Sequence, residues 1–152
     1  MTKKRDLVFH NQLYLEIPVP PAPRPRVTRK GISYYPKGYS DFKKRGAFEL
    51  KLQWQDKEPI NKPIEIEIFF LCKKPKSKIR KTTANHRSPR ARARGDLDNL
   101  IKSILDVLQD SEVIQNDSLI YSIKAEAWYA GVQEEPLTTI KINEVIKASY
   151  VP

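Results

Sequence analysis

Between Asp96 and Leu108 the apolar residues Leu97, Leu100, Ile101, Ile104, Leu105 and Leu108 recur at i, i+3, i+4, i+7, i+8 and i+11. A stripe with that period cannot keep one side of a strand dry. It commits the segment to an amphipathic helix that must be covered by another layer. Gly95 and then Asp96 stand where such a helix should begin, with Asp96 as a ready N-cap. Pro63 introduces a second clear pattern, in which Ile64, Ile66, Ile68 and Phe70 alternate with Glu65, Glu67 and Phe69. That period of two is a half-buried strand.

The rest of the chain supplies few further elements. Leu7 to Val19 is rich in β-formers and reads as a strand. Five prolines between Pro18 and Pro25 forbid helix and central strand, so this stretch is an extended arm. Val27 to Tyr39 is basic and aromatic, with Gly31 and Gly38 marking turns. Ser40 to Asp56 reads as a helix with Ser40 or Asp41 as N-cap. Leu119 to Tyr129 and Leu137 to Ile146 read as strands. No internal repeat or second core is evident. The order predicts an α+β fold: one domain over residues 1–152, a mixed sheet and two main helices.

Charge narrows the partner. Lys and Arg total 28 against 18 acids, a net charge of +10. Such a surplus points to nucleic acid or an anionic membrane. The longest apolar run, Ile68 to Cys72, is far too short to span a bilayer, and the N-terminus lacks the apolar core of a signal peptide. Nucleic acid remains. Cys72 is the lone cysteine and His10 and His86 the only histidines, so neither a disulfide nor a zinc motif can be written. A reducing, cytoplasmic compartment is expected. Lys73 to Arg94 holds ten cations and no acid. Too polar to order itself, it reads as a mobile basic loop. Its Lys73, Lys74, Lys76, Lys78, Arg80, Lys81, Arg87, Arg90, Arg92 and Arg94, with Arg24, Arg26, Arg29 and Lys30 of the arm, are the expected phosphate contacts. Tyr34 and Tyr35 could stack on exposed bases or simply pack.

Asp98, Lys102 and Asp106 lie at i, i+4 and i+8 on a polar side of the second helix. In the capping turn Asp96 could swing its carboxylate toward Asp98, making half of a hard-metal site. Asp117, just before the strand from Leu119, is the candidate third acid if the chain returns beside the helix. A metal there would orient water and offset charge in phosphodiester hydrolysis, with Lys102 stabilising the developing charge. The bland readings are a plain N-cap for Asp96, an ordinary i,i+4 pair for Asp98 and Lys102, and turn residues at Asp117 and Ser118.

The run Gly95-Asp96-Leu97-Asp98-Asn99-Leu100-Ile101-Lys102, then Asp106, then Asn116-Asp117-Ser118, resembles the signature of the RusA family of Holliday-junction resolvases. Pro23-Arg24-Pro25-Arg26-Val27-Thr28 with Tyr35-Pro36 is similar to the N-terminal arm of one branch of that family. The resemblance implies a small α+β homodimer that cuts branched DNA, a four-way junction, using Mg2+ or Mn2+. It implies Asp96, Asp98 and Asp117 as metal-binding acids and Lys102 as the essential lysine, with Asn99, Asp106 and Asn116 beside them. Asn116 departs from the family's Asp-Asp pair and removes one negative charge. That departure keeps a second reading open: a module that binds branched or single-stranded nucleic acid without cutting it.

Overall fold

The computed structural model describes residues 4–55, 57–79, 85–91, 93 and 95–149, with backbone alone for 4–10 and 145–149. Its elements are β1 (Lys4–Leu15), β2 (Arg26–Val27), β3 (Ser33–Tyr34), α1 (Lys37–Trp54), β4 (Ile64–Cys72), a single turn α2 (Lys76–Ile79), β5 (Ser88–Pro89), α3 (Leu97–Asp110), a 3-10 turn (Asp117–Leu119), β6 (Ile120–Tyr129) and β7 (Leu137–Ser149). The α+β expectation holds. Five strands form one mixed sheet in the order β1-β7-β4-β6-β5, and β2 and β3 form a separate hairpin. Only β4 and β6 run parallel. Two parallel neighbours need a crossover between them, and α3 lies in that crossover.

The strand pattern read after Pro63 is realised: Ile64, Ile66, Ile68 and Phe70 are buried, and Glu65, Glu67 and Phe69 are half-buried on the other face. Ile140 and Ile142 continue the buried face on β7, directly opposite Ile68 and Ile66. Against it pack Leu50 and Trp54 of α1 and Leu100, Ile104, Val107 and Leu108 of α3. Gly46 lets the two helices close on each other, since a Cβ there would stand 3.0 Å from Val107 Cγ1. Edge strand β1 is pinned by Gln53 of α1, whose side chain accepts from the Tyr14 amide at 2.8 Å and donates to its carbonyl at 2.7 Å.

Three expectations are corrected. Helix α1 begins a turn early, at Lys37, because the Pro36 carbonyl accepts from the Tyr39 and Ser40 amides and neither Ser40 nor Asp41 caps it. The buried stripe of α3 is rotated: Ser103 and Val107 join Leu100, Ile104 and Leu108, while Leu97 is 37% exposed and Ile101 and Leu105 are half-buried. The basic stretch after Lys73 is not a bare loop. It carries α2 and then β5, which pairs with β6 at Ser88 and Pro89. No helix among the described residues is long and apolar enough to cross a membrane.

Candidate active site

Asp96 is the N-cap residue of α3, with extended backbone at φ −71 and ψ 161, and its carbonyl accepts from the Asn99 and Leu100 amides. Its side chain makes no capping hydrogen bond. A plain capping role would have used that carboxylate on the first-turn amides. Instead it is exposed, as is Asp98 two residues on. The helix dipole favours both charges there. Lys102 is also exposed, and among the described residues it forms no ion pair with Asp98 or Asp106, so the ordinary i,i+4 pair is not what holds these groups.

The proline arm is laid across this helix start. Ala22 donates its amide to the Asn99 carbonyl at 3.0 Å, and buried Ser103 donates its hydroxyl to the Pro20 carbonyl at 2.5 Å. Pro21 crosses Gly95 so closely that a Cβ at Gly95 would lie 2.6 Å from the proline ring, and Gly95 itself holds φ +84. Only glycine suits both demands. Arg90 ties the other flank by donating from Nη1 to the Gly95 carbonyl at 2.9 Å. Arg24, Arg26, Arg29 and Lys30 are all exposed on the continuation of the arm.

Asp106 turns away from this end. It accepts a 2.6 Å hydrogen bond from the Tyr39 hydroxyl of α1, and Tyr39 packs in turn on Tyr35 at 5.2 Å between ring centres. Burial, then the Asp106 carboxylate, pushes the Tyr39 phenol well above its usual range. Tyr35, half-buried with Lys43 over its ring, therefore packs rather than waiting for a base, whereas Tyr34 is 46% exposed. Asn116 spends its side-chain oxygen on the Ser118 amide at 2.8 Å, capping the 3-10 turn. An aspartate could cap in the same way.

Asp117 is exposed and opens that turn, with its amide held by Gln109 Oε1 at 3.0 Å. The strand start does return beside the helix, but at its far end: Gln109 lies about 16 Å along the axis from Asp98 at 1.5 Å per residue. Among the described residues no three His, Cys, Asp or Glu side chains are close enough to hold one metal ion. One chain thus sets Asp96 and Asp98, both exposed, at the start of α3 with Lys102 one turn on, and leaves Asp117 at the other end of the helix.

The cations of the basic stretch divide. Lys74 is 7% exposed and its ammonium donates to the His86 carbonyl at 2.8 Å, so burial removes it from the expected phosphate contacts. Arg87 is paired with Glu134 at 2.9 Å, which lowers the Glu134 carboxyl below its usual range. Arg90 is half-buried against Gly95. Lys78 lies over the Tyr129 ring, while Lys73 and Lys76 face solvent. Arg80, Lys81, Arg92 and Arg94 lie outside the described residues. A sequence reading could not separate these groups, because buried and exposed lysines look alike in a charged run.

A family model described as endodeoxyribonuclease RusA matches residues 17–143. The chain belongs to the RusA family. The match covers the arm, both main helices and the strands β4 and β6, so the resemblance first carried by the Asp96–Ser118 block extends over most of the fold. A relative from Aquifex aeolicus (strain VF5), named crossover junction endodeoxyribonuclease RusA, is 28% identical over 113 residues, which cover 74% of this chain and 75% of that protein. Membership makes this RusA-type chain a nuclease rather than a binding module. Asn116 does not argue otherwise, since its side chain serves the turn.

Proposed function

We propose that this protein is a metal-dependent, structure-specific endonuclease that resolves four-way DNA junctions as a homodimer. The observation that carries the reading is the pair of exposed, uncapped carboxylates at the start of α3, crossed by the arm that leads to Arg24 and Arg26. Hard oxygen donors at an exposed helix start suit Mg2+ or Mn2+, which take one or two carboxylates and fill the remaining positions with water and phosphate oxygens. Asp96 and Asp98 would hold the ion, which supplies polarisation of the phosphate and an activated water. Lys102, exposed one turn after Asp98, would offset the charge that builds on the phosphodiester oxygens. The exposed arginines of the arm bring the backbone there. The lone Cys72 agrees with a reducing, cytoplasmic setting.

The homodimer explains the isolation of Asp117. Leu97, Ile101 and Leu105 form one row along α3 that its own core leaves partly uncovered, and Tyr121 and Ile123 of β6 are 47% and 39% exposed. The Gln109–Asp117 contact makes β6 start at the far end of α3 and run back toward its beginning. A second copy packed antiparallel on this strip covers the apolar side chains. It also carries its Asp117 to the end where the first copy holds Asp96 and Asp98. Two equivalent sites then face the two strands that a symmetric junction presents.

Mixed dimers test this. Asp98→Asn and Asp117→Asn homodimers should each bind a four-way junction yet fail to cut it in Mg2+. Mixed and re-equilibrated, they form heterodimers with one intact composite site, and about one quarter of the wild-type sites are regained as nicks. If mixing restores nothing while both variants bind, the acids act within one chain. If Asp98→Asn cuts as the wild type does, the site is elsewhere.

A further inference from the structure

We infer that the β2–β3 hairpin is a wedge that enters the base stack at the branch point of the DNA, with Ile32, Val27 and Tyr34 as its apolar parts. This inference rests on the nucleic-acid reading above. Pairing sets Arg26 opposite Tyr34 and Val27 opposite Ser33. Side chains alternate along each strand, so Tyr34 and Ile32 share the face of Arg26, and Val27 takes the other. Val27 is 65% exposed, Ile32 61% and Tyr34 46%.

A two-stranded ribbon with no core beneath it is barely stable in water. This one keeps its shape through its tip. Thr28 and Ile32 are joined by the bond from the Thr28 amide to the Ile32 carbonyl at 2.9 Å, and the Ile32 amide donates to Thr28 Oγ1 at 3.0 Å. The Gly31 amide closes the turn onto the Thr28 carbonyl at 2.9 Å with φ +80. The result is a preformed finger whose large apolar side chains face outward. Scattered exposed apolar residues need no explanation. Three on one small finger, in a stretch from Ile17 to Ser40 that has no acid, do.

Charge and apolarity together select the occupant. Arg26, Arg29 and Lys30 want phosphates, and the side chains between them want a flat, dry surface. Base faces provide that surface beside phosphates, and continuous duplex hides them in its stack. A branch point exposes them, and side chains of this kind enter where stacking is already broken. The hairpin also starts four residues after Ala22, which is bonded to the first turn of α3. Extended chain of that length spans at most about 14 Å. The opened step thus lies close to the acids.

The test uses a four-way junction with 2-aminopurine at the branch, in EDTA so that nothing is cut, read at saturating full-length protein. The wild type should raise the fluorescence several-fold on the junction and leave a linear duplex carrying the same base unchanged. The double variant Val27→Ser, Ile32→Ser should bind within about three-fold of the wild type, unfold at the same temperature, and lose most of the rise. Arg29→Ala should keep the rise at saturation but bind with a shallower salt dependence. Wild-type protein that fails to bind the junction overturns the junction-resolving reading and the wedge together. Binding with flat fluorescence, or a rise that survives the double variant, overturns the wedge alone.

Discussion

Asp96 begins a helix yet its carboxylate makes no capping hydrogen bond, which leaves that group uncommitted to the fold. Three other polar residues of the same block are committed: Asp106 to Tyr39, Asn116 to the Ser118 amide, and Ser103 to the Pro20 carbonyl. The Tyr39–Asp106 bond holds Asp106 toward α1, where it cannot pair with Lys102 a turn earlier. It also makes stability depend on alkaline pH. Burial raises the phenol of Tyr39 above its usual value of 10.0 in the folded chain, so the unfolded chain loses its proton first. The contribution is complete below about pH 10 and is lost as pH climbs toward the folded-state value. Unfolding midpoints followed from pH 8 upward should fall more steeply above about pH 10 for the wild type than for Tyr39→Phe. Equal slopes would show that Tyr39 titrates as freely in the fold as outside it.

At the scale of elements, two glycines decide how the site is framed. Gly95 admits the proline arm over the start of α3, and Gly131 admits the basic stretch against the β6–β7 connection. A Cβ at Gly131 would stand 2.3 Å from the Asn85 carbonyl oxygen, a backbone atom that cannot step aside alone. Nearby, Arg87 clasps Glu134, and Glu134 also accepts from the Gly131 amide at 3.0 Å. The described residues just before β5, Asn85 to Arg87, are therefore held by backbone proximity, the Lys74–His86 hydrogen bond and the Arg87–Glu134 ion pair. Gly131→Ala should cost about 1–3 kcal/mol in urea unfolding. It should also speed amide exchange at Arg90, whose amide is bonded to the Ala127 carbonyl of β6. Unchanged exchange there would mean that the docking does not depend on this close approach.

Across the whole molecule, a net charge of +10 is shared between cations that face solvent and cations that hold the fold. Only the first kind releases counterions when DNA binds, each phosphate contact adding about 0.9 to the salt slope. Arg24→Ala and Arg26→Ala should each lower the slope of log affinity against log salt by about that amount and leave the unfolding midpoint alone. Lys74→Met should leave the slope unchanged and alter stability, because the ammonium of Lys74 is turned inward to His86. A reduced slope for Lys74→Met would place that lysine on the DNA.

Local pattern by itself determined the half-buried strand after Pro63, the amphipathic helix after Gly95, the extended arm and the placing of Asp98 and Lys102 one turn apart on that helix. Each rests on periodicity, proline geometry or spacing, which short stretches carry in full. The tertiary structure alone decided which side of α3 meets the core, since Ser103 and Val107 are buried only by what packs on them. It alone sorted Lys74 and Arg87 from Arg24 and Arg26, because burial and ion pairing depend on residues distant in sequence. Above all it decided the reach of Asp117. Spacing along the chain placed that acid just past the helix, as expected, but the return at Gln109 leaves it at the opposite end from Asp96 and Asp98. A helix is a rigid rod, and residues that follow it begin where it ends.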